Sequence, residues 1–174
     1  MPTAGGTQIR AARPEDCDRL HALIGALAEF EKLAHLAVGT AAMLRDELFG
    51  RQPAIEAALA WEGERAVGFA LWFHSYSTFL ARRGLWLEDL FVEPDARGRG
   101  HGRALLRHCA RLAVERGCGR FEWSVLDWNT PSIAFYRAAG ASVLPDWKIC
   151  RMTGEALERF ARADQPRDAR GDGR

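Results

Sequence analysis

The chain has 174 residues, of which 48% are hydrophobic and 27% charged, and its formal net charge is +1. This length and composition suit one globular domain with a sizeable core. A charge so close to zero argues against a nucleic acid or a membrane surface as partner, and no apolar run approaches the roughly 20 residues of a membrane span.

The cysteines and the two ends of the chain predict the thiol state, the location of the protein and the bounds of its domain. The four cysteines form neither a CxxC pair nor a zinc-ligand spacing, so we expect free thiols and no metal site. The first residues lack the pattern of a secretory signal, and we expect a cytoplasmic protein. We expect a loose leader over residues 1–6, one domain over residues 7–163, and a disordered tail over residues 164–174.

The first half of the chain predicts strands and two helices. One helix begins at Pro14 and carries an apolar stripe from Cys17 to Phe30. It ends among the acids Glu29 and Glu31, which oppose the helix dipole there and are either solvated surface groups or part of a site. The other segments are a strand at Thr7–Arg13, a helix at Ala41–Phe49, strands at Ala54–Trp61 and Arg65–His74, and a loop at Ser75–Gly84.

The centre of the chain predicts a strand, a turn, a glycine-rich loop and a helix. The strand Leu85–Val92 leads to the loop Arg97–Gly102, which opens a helix. Unpaired N–H groups at a helix start, the helix dipole and two arginines would form a cradle for a pyrophosphate. The loop lacks both the Gly-Lys-Ser/Thr end of a Walker A motif and the glycine spacing of a dinucleotide fingerprint.

Two adjacent acids, Glu88 and Asp89, interrupt the apolar strand before the loop. Because strand neighbours face opposite sides of a sheet, at least one carboxylate points inward or lines a cleft. Burial of an unpaired carboxylate is costly and raises its pKa. The pair is either a salt-bridged feature near the strand end or a base and cation anchor.

The last third predicts further strands and helices, which complete a mixed α/β sheet with helices on both faces. Tyr136 lies on one of these helices. A tyrosine hydroxyl has an ordinary pKa near 10, close enough to the 8.5 of a thiol to return a proton to a thiolate, although an aromatic residue there is also an ordinary core residue. The segments are strands at Gly119–Leu126, Val143-Leu144 and Trp147–Met152, and helices at Ser132–Ala139 and from Thr153 onward.

Two motifs resemble one known family. Arg97, Gly100 and Gly102 match the pattern Arg/Gln-x-x-Gly-x-Gly/Ala, and WNTPSIAFY runs from Trp128 to Tyr136. They are similar to the acetyl-CoA loop and the asparagine-to-tyrosine segment of the GNAT superfamily of N-acetyltransferases. With LEDLFV before the loop, the chain resembles the spermidine/spermine (diamine) and thialysine N-acetyltransferase branch. The GNAT fold so implied is an α/β (α+β) fold with a mixed, mostly antiparallel twisted sheet of six to seven strands.

The resemblance implies acetyl transfer from acetyl-CoA to a primary amine of a small polyamine or lysine-like amino acid, by direct attack in a ternary complex. Glu88 would take the amine proton, directly or through water, and Tyr136 would be the general acid. It also implies a homodimer and no metal. Acetyl-CoA would be bound by Phe91, Val92, Arg97, Gly98, Arg99, Gly100, His101, Gly102, Asn129 and Tyr136. The amine pocket would be lined by Glu31, Glu88, Asp89 and Trp147.

Some residues depart from the family pattern, and two alternatives stay open. Phe30 stands in place of a tyrosine and Thr130 in place of an acid, while Arg82 and Arg83 would repel a cation if they turned inward. These departures concern the acceptor. The alternatives are acetylation of a protein lysine or N-terminus, for which the chain has no extra peptide-binding segment, and a non-catalytic CoA-binding sensor.

Overall fold

The computed structural model describes residues 7–162, which divide into two compact units after Asn129. The expected leader over residues 1–6 and the expected tail over residues 164–174 lie outside the described residues. No helix within residues 7–162 is long and apolar enough to cross a membrane.

The first unit is built on one sheet in the order β1-β2-β3-β4-β5. The first four strands are antiparallel, and β5 runs parallel to β4. The elements of this unit are β1 Gln8–Ala11, α1 Cys17–Phe30, α2 Ala41–Phe49, β2 Glu56–Glu62, β3 Arg65–Ser77, β4 Arg82–Val92, α3 His101–Glu115 and β5 Phe121–Glu122. The predicted mixed, mostly antiparallel sheet is confirmed.

One face of the sheet packs against α1 and α2. The apolar stripe predicted for the first helix is confirmed, because Cys17, Leu20 and Leu23 are fully buried. They form one core cluster with Phe69 of β3 and Phe91 of β4. Burial of this stripe, more than intrinsic helix propensity, holds α1 on the sheet.

The opposite face packs against α3. Leu105 and Cys109 of this helix are buried, and Trp72 of β3 meets the ring of His108 edge-on at 5.8 Å between centroids. Trp72 follows Leu71, which belongs to the cluster on the α1 face. The two residues therefore lie on opposite faces, as strand alternation requires. Helices cover both faces, as predicted.

The hairpin between β3 and β4 is longer than the sequence predicts. Six residues of the expected loop continue the strand ladder in three pairs, which run from Ser75 with Gly84 to Ser77 with Arg82. The loop prediction over Ser75–Gly84 is therefore wrong. The polar residues of this segment lack the alternation of apolar and polar residues from which a strand is predicted. An antiparallel pair needs at most one apolar face, and at an exposed hairpin tip it needs none.

The described residues form five strands rather than the six to seven expected. β5 covers only part of the predicted strand Gly119–Leu126, and it pairs with β4 at Leu85 and Trp86. Directly beyond this pairing the ladder between β3 and β4 is irregular. The parallel pairing ends where β4 departs from regular strand geometry.

The second unit contains two helices within its described residues, α4 Thr130–Ala138 and α5 Gly154–Arg162. The predicted strands Val143-Leu144 and Trp147–Met152 are not strands there. Their apolar alternation satisfies the strand pattern, but a strand also needs a neighbour for its ladder hydrogen bonds. No strand of the described part of this unit supplies one.

Candidate active site

A β-bulge in β4 arranges the two adjacent acids. Leu71 of β3 pairs with Asp89, whereas the next residue, Trp72, pairs with Leu87, so Glu88 is the extra residue of β4. Asp89 therefore shares the α1 face with Leu71. In a regular strand Leu87 and Asp89 would lie on the same face, and the bulge moves them to opposite faces.

Glu88 is exposed, and its carboxylate is oriented by a neighbouring indole. Trp86 Nε1 donates a hydrogen bond of 2.9 Å to Glu88 Oε2. Trp86 pairs with Phe73, which lies two residues beyond Leu71, so the indole is also on the α1 face. The bulge thus brings both acids to one side of the sheet. Trp86 was not predicted as a site residue. Its position two residues before Glu88 is the sequence feature that could have suggested it.

Glu31 completes an acid cluster with Glu88 and Asp89. It forms the C-cap of α1, and Lys32 ends the helix with a φ of 61°. The pKa of Asp89 is raised from 3.8 to about 7, first by burial and then by the negative charges of Glu88 and Glu31. Burial also raises the pKa of Glu31. The structure therefore brings together the three acids that the sequence analysis assigned to the amine pocket.

The acid cluster suits a cation that carries a proton. An ammonium group among three carboxylates would favour the ionised form of Asp89, since an opposite charge nearby lowers a carboxyl pKa. A carboxyl group with a pKa of about 7 can also hold or release a proton near neutral pH. Within residues 7–162, no group of three His, Cys, Asp or Glu side chains is placed to hold a metal ion.

The glycine-rich loop forms an open cradle of main-chain groups at the start of α3. Gly98 and Gly100 have φ of 77° and 91°, a conformation that favours glycine. A Cβ built on either residue meets no atom within 4 Å, so the space beside them is open. Ala104 N–H bonds back to Gly100 O at 2.9 Å, and the N–H groups before it lack an intrahelical acceptor. These features fit a pyrophosphate.

The side chains of this loop contact the protein. Arg99 Nη1 lies 3.0 and 2.8 Å from the two carboxylate oxygens of Glu62, and its Nη2 donates to Asp95 O at 2.9 Å. The buried ring of His101 lies 2.6 Å from Glu62 through Nε2. These hydrogen bonds hold the pKa of Glu62 below its usual range. Arg97 Nε donates to Val92 O at 2.9 Å. The cradle is therefore mainly a main-chain one.

The end of β4 offers a second main-chain donor. Glu93 N–H bonds to Val67 O at 2.9 Å, and Val92 pairs with Gly68 one position earlier. Because hydrogen-bonded and non-hydrogen-bonded pairs alternate in an antiparallel ladder, the N–H of Val92 points away from β3. β5 pairs with β4 only near Leu85. Regular strand alternation therefore exposes this donor, and the bulge in β4 lies elsewhere, at Glu88.

Three further residues lie at the end of the first unit or at the end of α1. Asn129 is buried, and its N–H bonds to Leu126 O at 2.9 Å. Phe30, at the end of α1, is 38% exposed and lies 6.0 Å from Trp128 between ring centroids. Trp128 is therefore a neighbour of the α1 terminus that the sequence analysis did not assign.

The two arginines that raised doubt about a cationic acceptor are exposed residues of β4. Arg83 pairs with Tyr76 of the hairpin, and both Arg82 and Arg83 are exposed. At about 3.3 Å per residue, Arg83 lies roughly 16 Å along the strand from Glu88. The two guanidinium groups therefore belong to the hairpin tip rather than to the acid cluster.

Two candidates belong to the second unit. Tyr136 lies on α4, is half-buried, and has its ring 5.3 Å from that of Phe135. Trp147 lies between α4 and α5 and is 78% exposed. Thr130 is the first residue of α4.

Comparison with known proteins gives consistent matches. The sequence model described as the Acetyltransferase (GNAT) family matches residues 15–141. A thialysine N-epsilon-acetyltransferase from Mus musculus is 36% identical and covers 89% of this chain and 97% of its own length. An L-ornithine acetyltransferase from Arabidopsis thaliana is 32% identical, over 87% of this chain and 86% of its own. The aminoglycoside N-acetyltransferase AAC(6')-Iy, solved in complex with CoA, superimposes with a TM-score of 0.69 at 20% identity, over 87% of this chain and 98% of that one.

Proposed function

Since this chain belongs to the Acetyltransferase (GNAT) family and is an N-acetyltransferase, we propose that it acetylates the primary amine of a small lysine-like amino acid or polyamine with acetyl-CoA. The observation that carries the acceptor class is the acid cluster of Glu31, Glu88 and Asp89 on the α1 face. Relatives named for thialysine and L-ornithine, both amino acids with a side-chain amine, support the amino acid as the first choice.

The binding of acetyl-CoA follows from the main-chain cradle. The N–H groups from Gly98 to Gly102 would hold the pyrophosphate, and the outward N–H of Val92 would hold the pantetheine arm or the thioester oxygen. Phe91, Asn129 and Tyr136 would complete the binding site, as the family resemblance implies. When bound, acetyl-CoA supplies an activated acetyl group on a thioester.

The acid cluster has two tasks in this proposal. Asp89 and Glu31 would attract and hold the cationic acceptor. Glu88, which is exposed and oriented by Trp86, would accept the amine proton, directly or through water, because a protonated amine has no lone pair to attack with. Tyr136 would return a proton to the leaving thiolate. Trp147 would line the amine pocket.

The test is thiol release from acetyl-CoA with a panel of amines containing thialysine, lysine, ornithine, putrescine, spermidine and spermine. We expect turnover on amines that carry a primary amine on a flexible chain and a second charged group. Acetylation of peptides but of none of these amines would favour a protein lysine or N-terminal acetyltransferase. Tight acetyl-CoA binding without turnover on any acceptor would favour a sensor and overturn the proposal.

We also propose that the enzyme is a cytoplasmic homodimer. The tip of the β3–β4 hairpin supports association, because Phe79 is 99% exposed beside exposed Leu80 and Tyr76, and apolar patches of this kind mark interfaces. The four free cysteines suit a reducing compartment. Light scattering should give twice the monomer mass, and Phe79→Ser should lower it. A wild-type protein with the monomer mass would contradict the dimer.

A further inference from the structure

Arg97, the first residue of the glycine-rich loop, has its guanidinium group close to two aromatic rings. The guanidinium carbon lies 4.7 Å from the ring centroid of Phe30 and 5.7 Å from that of Phe91. Its Nε donates a hydrogen bond of 2.9 Å to Val92 O. A planar cation over aromatic faces is attracted by the ring quadrupoles, and arginine suits this geometry better than lysine.

These three contacts connect the two halves of the candidate site. Phe30 is the last residue of α1 and directly precedes Glu31 of the acid cluster. Phe91 and Val92 end the strand that carries Glu88 and Asp89. One side chain therefore touches the helix end beside the amine pocket, the strand end with the outward N–H, and, through its own backbone, the main-chain cradle.

The other arginine of the loop makes no such connection. Arg99 is bound by Glu62 and by Asp95 O, which lie on the β2 side of the loop and near its own turn. Both arginines carry the same charge and lie two residues apart. Because the two arginines differ in their contacts, comparing them distinguishes an effect of charge on pyrophosphate binding from an effect of side-chain position.

We propose that Arg97 is a positioning residue that couples the amine pocket to the acetyl-CoA cradle, with Phe30 as its contact on the acceptor side. Ordering of the loop by acetyl-CoA would fix Arg97 against Phe30 and thereby fix the end of α1 beside Glu31. By reciprocity, an acceptor that orders the end of α1 would tighten acetyl-CoA binding by the same factor. The inference rests on the proposed function for the identity of the two ligands.

The test uses Phe30→Leu, Arg97→Lys and the double variant, with Arg99→Lys as the matched control. Calorimetry measures acetyl-CoA binding without any amine, and hydrogen exchange measures the protection of residues 97–102 in the free protein. We expect Phe30→Leu to weaken acetyl-CoA binding about fivefold and to speed exchange in the loop, since it removes the contact that fixes Arg97. Phe30→Tyr, which keeps the ring, should restore both values.

The double-mutant cycle decides between positioning and charge. If Arg97 acts through Phe30, the double variant should bind acetyl-CoA no more weakly than Arg97→Lys alone, whereas Phe30→Leu and Arg99→Lys should combine additively. Wild-type acetyl-CoA binding by Phe30→Leu, or additivity of Phe30→Leu with Arg97→Lys, would overturn the coupling. Melting temperatures identify a variant that fails to fold, and the Phe30→Leu and Phe30→Tyr pair then decides alone.

This experiment also separates failure of the coupling from failure of the proposed function. Both readouts use acetyl-CoA or the free protein, so they remain valid if none of the tested amines is a substrate. Where an amine is turned over, Arg97→Lys should raise the KM for that amine as well as the KM for acetyl-CoA. A pure phosphate-binding role would raise only the latter.

Discussion

The glycine-rich loop and the acid cluster form the two halves of the candidate site, and they are specified in different ways. The loop depends on the backbone conformation of Gly98 and Gly100, which the residue type itself permits. The acid cluster depends on strand register, because the extra residue Glu88 is defined only against β3. A local signal therefore marks the loop, whereas tertiary pairing assembles the acids.

A large effect on kcat is expected outside both regions, at Tyr136 on α4. Tyr136→Phe removes the proposed general acid and keeps the ring, so kcat should fall by about 100-fold, the lower end of general acid contributions. Acetyl-CoA binding and the amine KM should change little. Steady-state kinetics with the preferred amine provide the measurement, and a wild-type kcat would exclude Tyr136 as the acid while leaving both other regions intact.

A substitution in the loop half of the site should weaken acetyl-CoA binding. Gly100→Ala places a Cβ on a residue with a φ of 91°, which costs about 1–2 kcal/mol and should weaken acetyl-CoA binding about tenfold. Gly25→Ala is the matched control, because a Cβ there also meets no atom within 4 Å and the residue lies inside α1. Equal acetyl-CoA affinities for the two variants by calorimetry would show that the loop conformation is not required.

The acid half should affect the pH dependence of stability, with a defined sign. The pKa of Asp89 is about 7 in the fold against 3.8 ordinarily, so between these values the folded protein binds more protons than the unfolded chain. Stability should therefore fall as pH rises from about 4 to 7, by roughly 4 kcal/mol from this group, since each pKa unit corresponds to about 1.4 kcal/mol. Urea unfolding at pH 5 and 7.5 measures it. Asp89→Asn should flatten the difference, and parallel curves for both proteins would contradict the buried, charge-coupled Asp89.

Much of the fold and part of the site could be predicted from the sequence. The stripe of Cys17, Leu20 and Leu23 predicts its own burial because helix periodicity is a local property. The loop motif is equally local. The bulge at Glu88 could not be placed, since register is set by a partner strand distant in sequence. For the same reason the hairpin was predicted too short and the segment Trp147–Met152 was predicted as a strand.

The site residues also divide into features that the local sequence predicts and features that tertiary contacts determine. The acids Glu31 and Asp89 could be named from their unusual positions, but their approach to one another requires the C-cap of α1 and the bulge in β4. The partners of Arg97 could not be inferred, because Phe30 and Phe91 are far apart in the chain. The part of the site that could not be predicted consists of contacts between separate elements, which residue types alone do not determine.

The most direct test of the account is the turnover of Glu88→Gln on the amine that the panel identifies. The variant keeps the size and the Trp86 hydrogen bond but loses the base, so kcat should fall by about 100-fold or more. Glu29→Gln, which changes an exposed acid near the same end of α1, should retain kcat within about twofold, as expected for a surface substitution. If Glu88→Gln instead turns over at the wild-type rate, the bulged acid is not the base, and the assignment of the acid cluster to proton transfer is contradicted.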